Sequence, residues 1–129
     1  MDEPRFLTLD EVLYLHDESL RRFGGSAGIG DPGLIESALG SAQNAYSYGQ
    51  GGLFEIAAAY AFHIAQAQAF IDGNKRTGAA AAILFLTLNG RRIPKDDGSV
   101  YAALIDVARK RLDKAGLAEV FRKLVEKTG

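Results

Sequence analysis

Apolar residues at Leu9, Val12, Leu13, Leu15, Leu20 and Phe23 recur at the spacing of one helix face, which predicts a first helix. Its start is written in Thr8-Leu9-Asp10-Glu11, a capping box in which the Thr8 hydroxyl accepts an amide proton and Glu11 reaches back. Gly24-Gly25 ends it, and Gly28 and Gly30 make a flexible loop. A second helix restarts at Asp31-Pro32, with Asp31 as N-cap and Pro32 in the first helical position, where its missing N–H does no harm. Leu34, Ile35, Ala38 and Leu39 form its inward face. The stretch from Ser41 to Gly52, with Tyr46, Tyr48 and three glycines, reads as a loop able to flank a binding site.

The most apolar segment runs from Leu53 to about Ala69 and is apolar nearly all round, as a central, fully surrounded helix must be. A second such helix follows a short polar turn, from Thr77 to Leu88, with small residues at Ala79 to Ala82 and Asn89-Gly90 as its C-cap. Arg91 to Gly98 is a connector, with a short extended piece at Arg92-Ile93-Pro94. Val100 to about Leu112 and Leu117 to Lys127 supply two further amphipathic helices. No segment sustains a two-residue alternation. The expected fold class is all-α, a compact single domain over residues 1–129 built around two antiparallel central helices.

At 129 residues the chain is long enough to bury one core without staples. It has no cysteine, which excludes disulfides, thiolate nucleophiles and cysteine zinc sites. No uninterrupted apolar run approaches a membrane span, and Met1-Asp2-Glu3-Pro4 lacks the layout of a signal peptide, so no membrane contact and a cytoplasmic location are expected. The net charge of −1 hides an asymmetry, since residues 1–60 carry −6 and residues 61–129 carry +5. The basic half favours an anionic ligand. The overall balance, without basic–aromatic interleaving or a reader motif, argues against nucleic acid as the main ligand.

The turn between the two central helices, Ala69-Phe70-Ile71-Asp72-Gly73-Asn74-Lys75-Arg76-Thr77-Gly78, lies in that basic half. A helix N-terminus carries unsatisfied N–H groups and the positive end of the helix dipole. Gly73 before it lets the backbone approach an anion closely. Lys75 and Arg76 add charge, Asn74 an amide that holds either the loop or a ligand, and Thr77 a hydroxyl. Asp72 is suited to a magnesium ion beside phosphates or to orienting a nucleophile's proton. A purely structural helix start would carry Asp or Glu in its first turn, because cations there oppose the dipole. Two cations in that place make sense when an anion is bound.

Phe70-x-Asp72-Gly73-Asn74-Lys75-Arg76-Thr77 resembles the signature of Fic/Doc proteins, in particular the Doc (death-on-curing) branch. Leu15-His16-Asp17, Phe23-Gly24-Gly25, the run from Gly28 to Leu39 and Leu53 to Tyr60 resemble that branch in the same order, so the likeness covers roughly residues 7 to 125. The resemblance implies a Fic-type helical fold and the toxin half of a toxin–antitoxin pair. Such a toxin is a kinase that uses ATP and Mg2+ to phosphorylate a threonine of elongation factor Tu, and a Phd-like antitoxin folds a disordered segment over it. Carried over, Asp72 positions the target hydroxyl or the metal. Phe70, Gly73, Asn74, Lys75, Arg76 and Thr77 form the nucleotide site, with Lys75 and Arg76 stabilising charge on the transferring group. Fic enzymes that transfer AMP usually carry glycine where this chain has Lys75, a departure that favours phosphoryl transfer.

The family motif begins with histidine two residues before the phenylalanine, and here that position is Gln68. An imidazole takes a proton from an attacking hydroxyl, whereas a carboxamide has no group titrating near neutrality. The fold and ligand site should survive while the chemical step is impaired, as in an inactivated copy or a natural pseudoenzyme that binds nucleotide or antitoxin without turnover. His63 does not substitute. Five residues earlier on the same helix, it lies about 140° round and about 7.5 Å away, and reads as structural. His16 also reads as structural, with Asp17 its expected partner.

Overall fold

The computed structural model describes residues 3–47, 52–94 and 98–126. The capping box at Thr8 forms as its sequence predicts, with the Glu11 N–H donating to the Thr8 hydroxyl at 3.1 Å and the Thr8 N–H donating to the Glu11 carboxylate at 2.9 Å. From it runs α1, Leu9–Phe23, which closes on Gly24 at φ +80°. Asp31 caps α2, Pro32–Ser47, by accepting the Gly33 N–H at 3.0 Å. Then come α3, Leu53–Ala67, α4, Asn74–Leu88, α5, Ser99–Ala108, and α6, Lys114–Glu126. The class is all-α, as the periodicity predicts. The one β-type pairing among the described residues is an isolated antiparallel bridge between Ile29 and Phe70.

Four boundaries differ from the sequence reading, the first being that α4 opens at Asn74, three residues ahead of the expected Thr77, because Gly73 turns the chain into the helix at once. The expected loop from Ser41 is helical through Ser47, because Ala42, Ala45 and Tyr46 continue the stripe begun by Ile35 and Ala38. Tyr46 therefore packs edge-on against Phe6 with ring centroids 5.9 Å apart, on the core and away from the polar turn. The remainder of that expected loop, residues 48–51, lies outside the described residues. Helix α5 stops at Ala108 rather than near Leu112, and Lys110 turns the chain at φ +61°. Helix α6 starts at Lys114, ahead of Leu117, because Asp113 accepts the Gly116 N–H at 2.7 Å and supplies a cap. The extended piece expected at Arg92–Pro94 pairs with nothing as a strand, and Ile93 anchors it in the core.

Helix α3 is buried along both its faces, from Ile56 to Ala61 and again at Ile64 and Ala65, and it touches α2, α4, α5 and α6. Its most extensive contact is with α4. Small residues permit it: a Cβ on Gly78 would stand 2.8 Å from the Ala61 carbonyl oxygen, so the two backbones meet with no room for a side chain. Tyr60, Phe85, Phe121 and Leu104 fill the space around that seam. The N-terminal strap is fastened to the same pair. The Leu7 N–H donates to the Tyr60 hydroxyl at 2.8 Å, and burial pushes the Tyr60 pKa up to about 12. Asn89 at the end of α4 accepts the Arg5 N–H at 2.8 Å and donates to the Arg5 carbonyl at 3.1 Å. Among the described residues no helix is long and apolar enough to cross a membrane.

His63 is half-buried where α3 meets α6, and Lys114 Nζ donates to its Nε2 at 3.0 Å. It is structural, as expected. Burial first and the Lys114 charge second hold its pKa below the ordinary 6.5.

Two outcomes follow for stability. Gly78→Ala should lower the free energy of unfolding by about 1–3 kcal/mol in urea denaturation, since α3 and α4 must separate to admit a methyl group. Because the folded state disfavours the His63 proton, the unfolded chain binds more protons as pH drops below 6.5. The urea midpoint should therefore fall more steeply between pH 7.5 and 5.5 than in His63→Gln, and equal slopes would contradict this.

Candidate functional site

The turn from Gln68 to Gly73 joins α3 to α4, and each of its residues has a local reason for its place. Gln68 caps α3 in the left-handed region, at φ 54° and ψ 41°, which reverses the chain and leaves the carboxamide exposed. Ala69 and Phe70 then drop into the core at 3% exposure each. The Asn74 carboxamide bonds the Phe70 backbone from both sides, accepting its N–H at 3.1 Å and donating to its carbonyl at 3.0 Å. Asn74 thus holds the loop.

His16 fixes the turn from beneath. It is 3% exposed on α1, its ring stacks on Phe70 with centroids 3.8 Å apart and planes 11° apart, and its Nε2 donates to the Asp72 carbonyl at 2.8 Å. The partner expected from sequence, Asp17, is exposed and takes no part. The loop between α1 and α2 lies alongside. Gly30 and Asp31 N–H groups donate to the Ala69 carbonyl at 2.7 and 3.1 Å, and the Ile71 N–H donates to Gly28 at 3.1 Å.

The Asp72 carboxylate is oriented by two backbone donors, Gly73 N–H at 3.0 Å and Ser26 N–H at 3.2 Å. Gly25 is obligatory at that contact: it has φ +119°, and a Cβ there would approach Asp72 Oδ2 to 2.9 Å. Gly73 opens α4 at φ 80° and ψ 18°, a left-handed conformation that glycine adopts without strain. No side chain caps that N-terminus, and its first turn has no acidic residue.

A cavity of about 450 Å3 opens over this N-terminus. Its walls bring together Gln68, Asp72, Gly73, Asn74, Lys75 and Arg76, six of the residues singled out from the sequence. The other two lie elsewhere. Phe70 is packed on His16 beneath the floor, and Thr77 is fully buried with its hydroxyl lacking a hydrogen-bond partner among the described residues. Their side chains shape the site from the core side. Arg76 has no carboxylate within ion-pair distance among the described residues. Its guanidinium carbon instead lies 3.8 Å from the Phe23 ring centroid and 4.5 Å from that of Tyr101.

Chemically the arrangement is suited to receiving an anion. Uncapped helical N–H groups, a glycine that admits close approach, and two cations face one opening, beside a carboxylate that still has free lone pairs. The donor set fits a nucleotide's phosphates. For magnesium it offers one carboxylate, and no cluster of three or more His, Cys, Asp or Glu occurs among the described residues. That matches an ion held by one side chain and the phosphates themselves, and not an all-protein cage.

The profile of the Fic/DOC family matches residues 6–86, the stretch from the N-terminal strap through α4 that builds this site. The chain belongs to the Fic/DOC family. Within it, the chain is 32% identical to "Protein kinase doc" of Escherichia phage P1 over 121 residues, 93% of this chain and 95% of that protein. It is 40% identical to "Toxin Doc" of Mycolicibacterium smegmatis over 77 residues, 57% of this chain and 58% of that one. Both place it in the Doc branch.

Sequence reasoning missed Phe23, Tyr101, Gly25 and Ser26. Phe23 falls on the apolar stripe of α1 and reads as core, yet it is 59% exposed at the rim. Tyr101 carries no local signal, because it arrives from another helix. Asn74→Ala should destabilise the fold by about 1–3 kcal/mol, the cost of stranding the Phe70 N–H and carbonyl. Chemical denaturation measures it, and an unchanged midpoint would contradict the clamp.

Proposed function

We propose that this Fic/DOC chain is a Doc-type toxin of a toxin–antitoxin pair, built as an ATP-dependent protein kinase that phosphorylates a threonine of elongation factor Tu. In this copy the proton-accepting step is impaired because Gln68 stands where the family motif has histidine. The observation that carries the reading is the uncapped, cation-bearing N-terminus of α4 beside an oriented Asp72 carboxylate. The names of the two relatives, a protein kinase and a toxin, support the class of activity.

The roles follow from charge and position. The α4 N–H groups and Lys75 hold phosphate oxygens, and Arg76 stabilises negative charge on the group in transfer. A bound magnesium ion would supply further charge neutralisation at the phosphates, with Asp72 as its protein ligand. Asp72 otherwise accepts a hydrogen bond from the target hydroxyl and aligns it. Gln68 reaches the same opening and can orient that hydroxyl, but its carboxamide cannot take the proton. A general base at this point is worth about 10²–10⁴ in rate.

Lys75 favours γ-phosphoryl transfer over AMP transfer, since its side chain shares the cavity in which the phosphates would sit. A second reading rests on Gln68 itself: a pseudoenzyme that binds nucleotide or a Phd-like antitoxin without turnover. The antitoxin in either reading finds an apolar groove of about 470 Å3 beside the site, lined by Tyr14, Leu15, Ala80, Ile83 and Leu84 of α1 and α4.

The test is Gln68→His incubated with elongation factor Tu and ATP labelled at either the α or the γ phosphate. Transfer of the γ label, at least about 10²-fold above the parent chain, is the expected result. Transfer of the α label would establish AMP transfer. No labelled protein from a folded, ATP-binding variant would leave the pseudoenzyme reading.

A further inference from the structure

Arg76 occupies an unusual setting for a cation in the first turn of a helix. The dipole opposes it, no carboxylate among the described residues neutralises it, and it is neither buried nor fully exposed. A long side chain so placed would ordinarily extend into water and sample many rotamers. Instead its guanidinium lies against two aromatic rings from two other helices, Phe23 at the end of α1 and Tyr101 near the start of α5. Phe23, Arg76 and Tyr101 together form the wall between the polar cavity over α4 and the apolar groove beside it, and they border both. Phe23 keeps 59% of its surface exposed, far from what a core residue shows.

We infer that Phe23 and Tyr101 are positioning residues for Arg76, setting the affinity of the site for a nucleotide's phosphates. The inference rests on the reading of that site as nucleotide-binding. A ring face attracts a guanidinium through its quadrupole without cancelling its charge or taking up its N–H donors. A carboxylate would also immobilise the side chain, but it would neutralise it and compete with phosphate for the same donors. The aromatic bracket restricts the rotamers of Arg76 and leaves its charge and hydrogen-bonding edge available, so less ordering remains to be done when the anion arrives. Tyr101 lies beyond residues 6–86, so the bracket is completed by a helix outside the stretch that matches the family profile.

The experiment is calorimetric titration of ATP with magnesium into the full chain, at fixed ionic strength. Phe23→Leu and Tyr101→Leu should each weaken binding by about three- to tenfold, the range expected for losing one partly exposed cation–π contact. Phe23→Tyr and Tyr101→Phe retain a ring face and should restore parental affinity. The decisive readout is a double-mutant cycle. In an Arg76→Leu background, the ring substitutions should produce no further loss, because they act only through Arg76. Thermal unfolding of each variant shows whether it is folded, and Phe23 is exposed enough that its replacement leaves the core intact.

If Arg76→Leu weakens ATP binding while the leucine variants bind like the parent, the positioning role is overturned and the nucleotide reading stands. A ring effect that persists undiminished without Arg76 overturns it equally, since the rings would then act by another route. A parent chain that binds no ATP at all overturns the nucleotide reading, and this inference with it.

Discussion

Two hydrogen bonds between the Asn74 carboxamide and the backbone of Phe70 fix the geometry on which the rest of the molecule's chemistry depends. They close the turn between α3 and α4 on itself, so the chain must reverse within the few residues from Gln68 to Gly73. That reversal sends Phe70 into the core and Asp72 outward, and it aims the bare N-terminus of α4 at the opening. A side chain used this way cannot also serve as a freely moving ligand for phosphate. The contribution of Asn74 to an anion site is therefore the shape of the receptor. His16 serves the same end from α1, with a stacked ring under Phe70 and a donor on the Asp72 carbonyl.

The rigidity of this turn is inherited from the packing below it. Gly78 sits one turn into α4 with no space between it and the Ala61 carbonyl, which sets the two central helices at close range. Small residues at the seam leave the bulk of the core, Tyr60, Phe85 and Phe121, to fill the flanks. The fully buried Thr77 hydroxyl, lacking a partner among the described residues, lies at the same junction. It stands one residue before Gly78 and its close approach to Ala61.

The polar cavity and the apolar groove share a wall, and its composition is what makes the two neighbours different. On one side the exposed groups are amide hydrogens, cations and one carboxylate. On the other the apolar faces of α1 and α4 predominate, with Glu18, Arg22 and Thr87 also in the lining. Arg76 can belong to both because its planar cation is attracted by aromatic rings as well as by anions.

What the sequence determined by itself was whatever depends on neighbours along the chain. Thr8 and Glu11, Asp31 and Pro32, and Gly24 act within a turn of where they stand, so the starts of α1 and α2 and the end of α1 were legible. So were the all-α class and the identity of the two central helices, since an apolar run with no polar face has nowhere to go but the middle. The turn from Asp72 to Arg76 was legible as a glycine-opened, cation-bearing helix start because those residues are contiguous there. Tertiary structure decided what depends on distant residues. Ser41 to Ser47 follow the local stripe of α2, but that Tyr46 would end on Phe6 was set by the tertiary structure. His16 found Asp72 and Phe70 in place of Asp17, and Phe23 left the stripe to meet Arg76. Such contacts join residues tens of positions apart, and local spacing carries no information about which of several possible partners the folded chain will bring within reach.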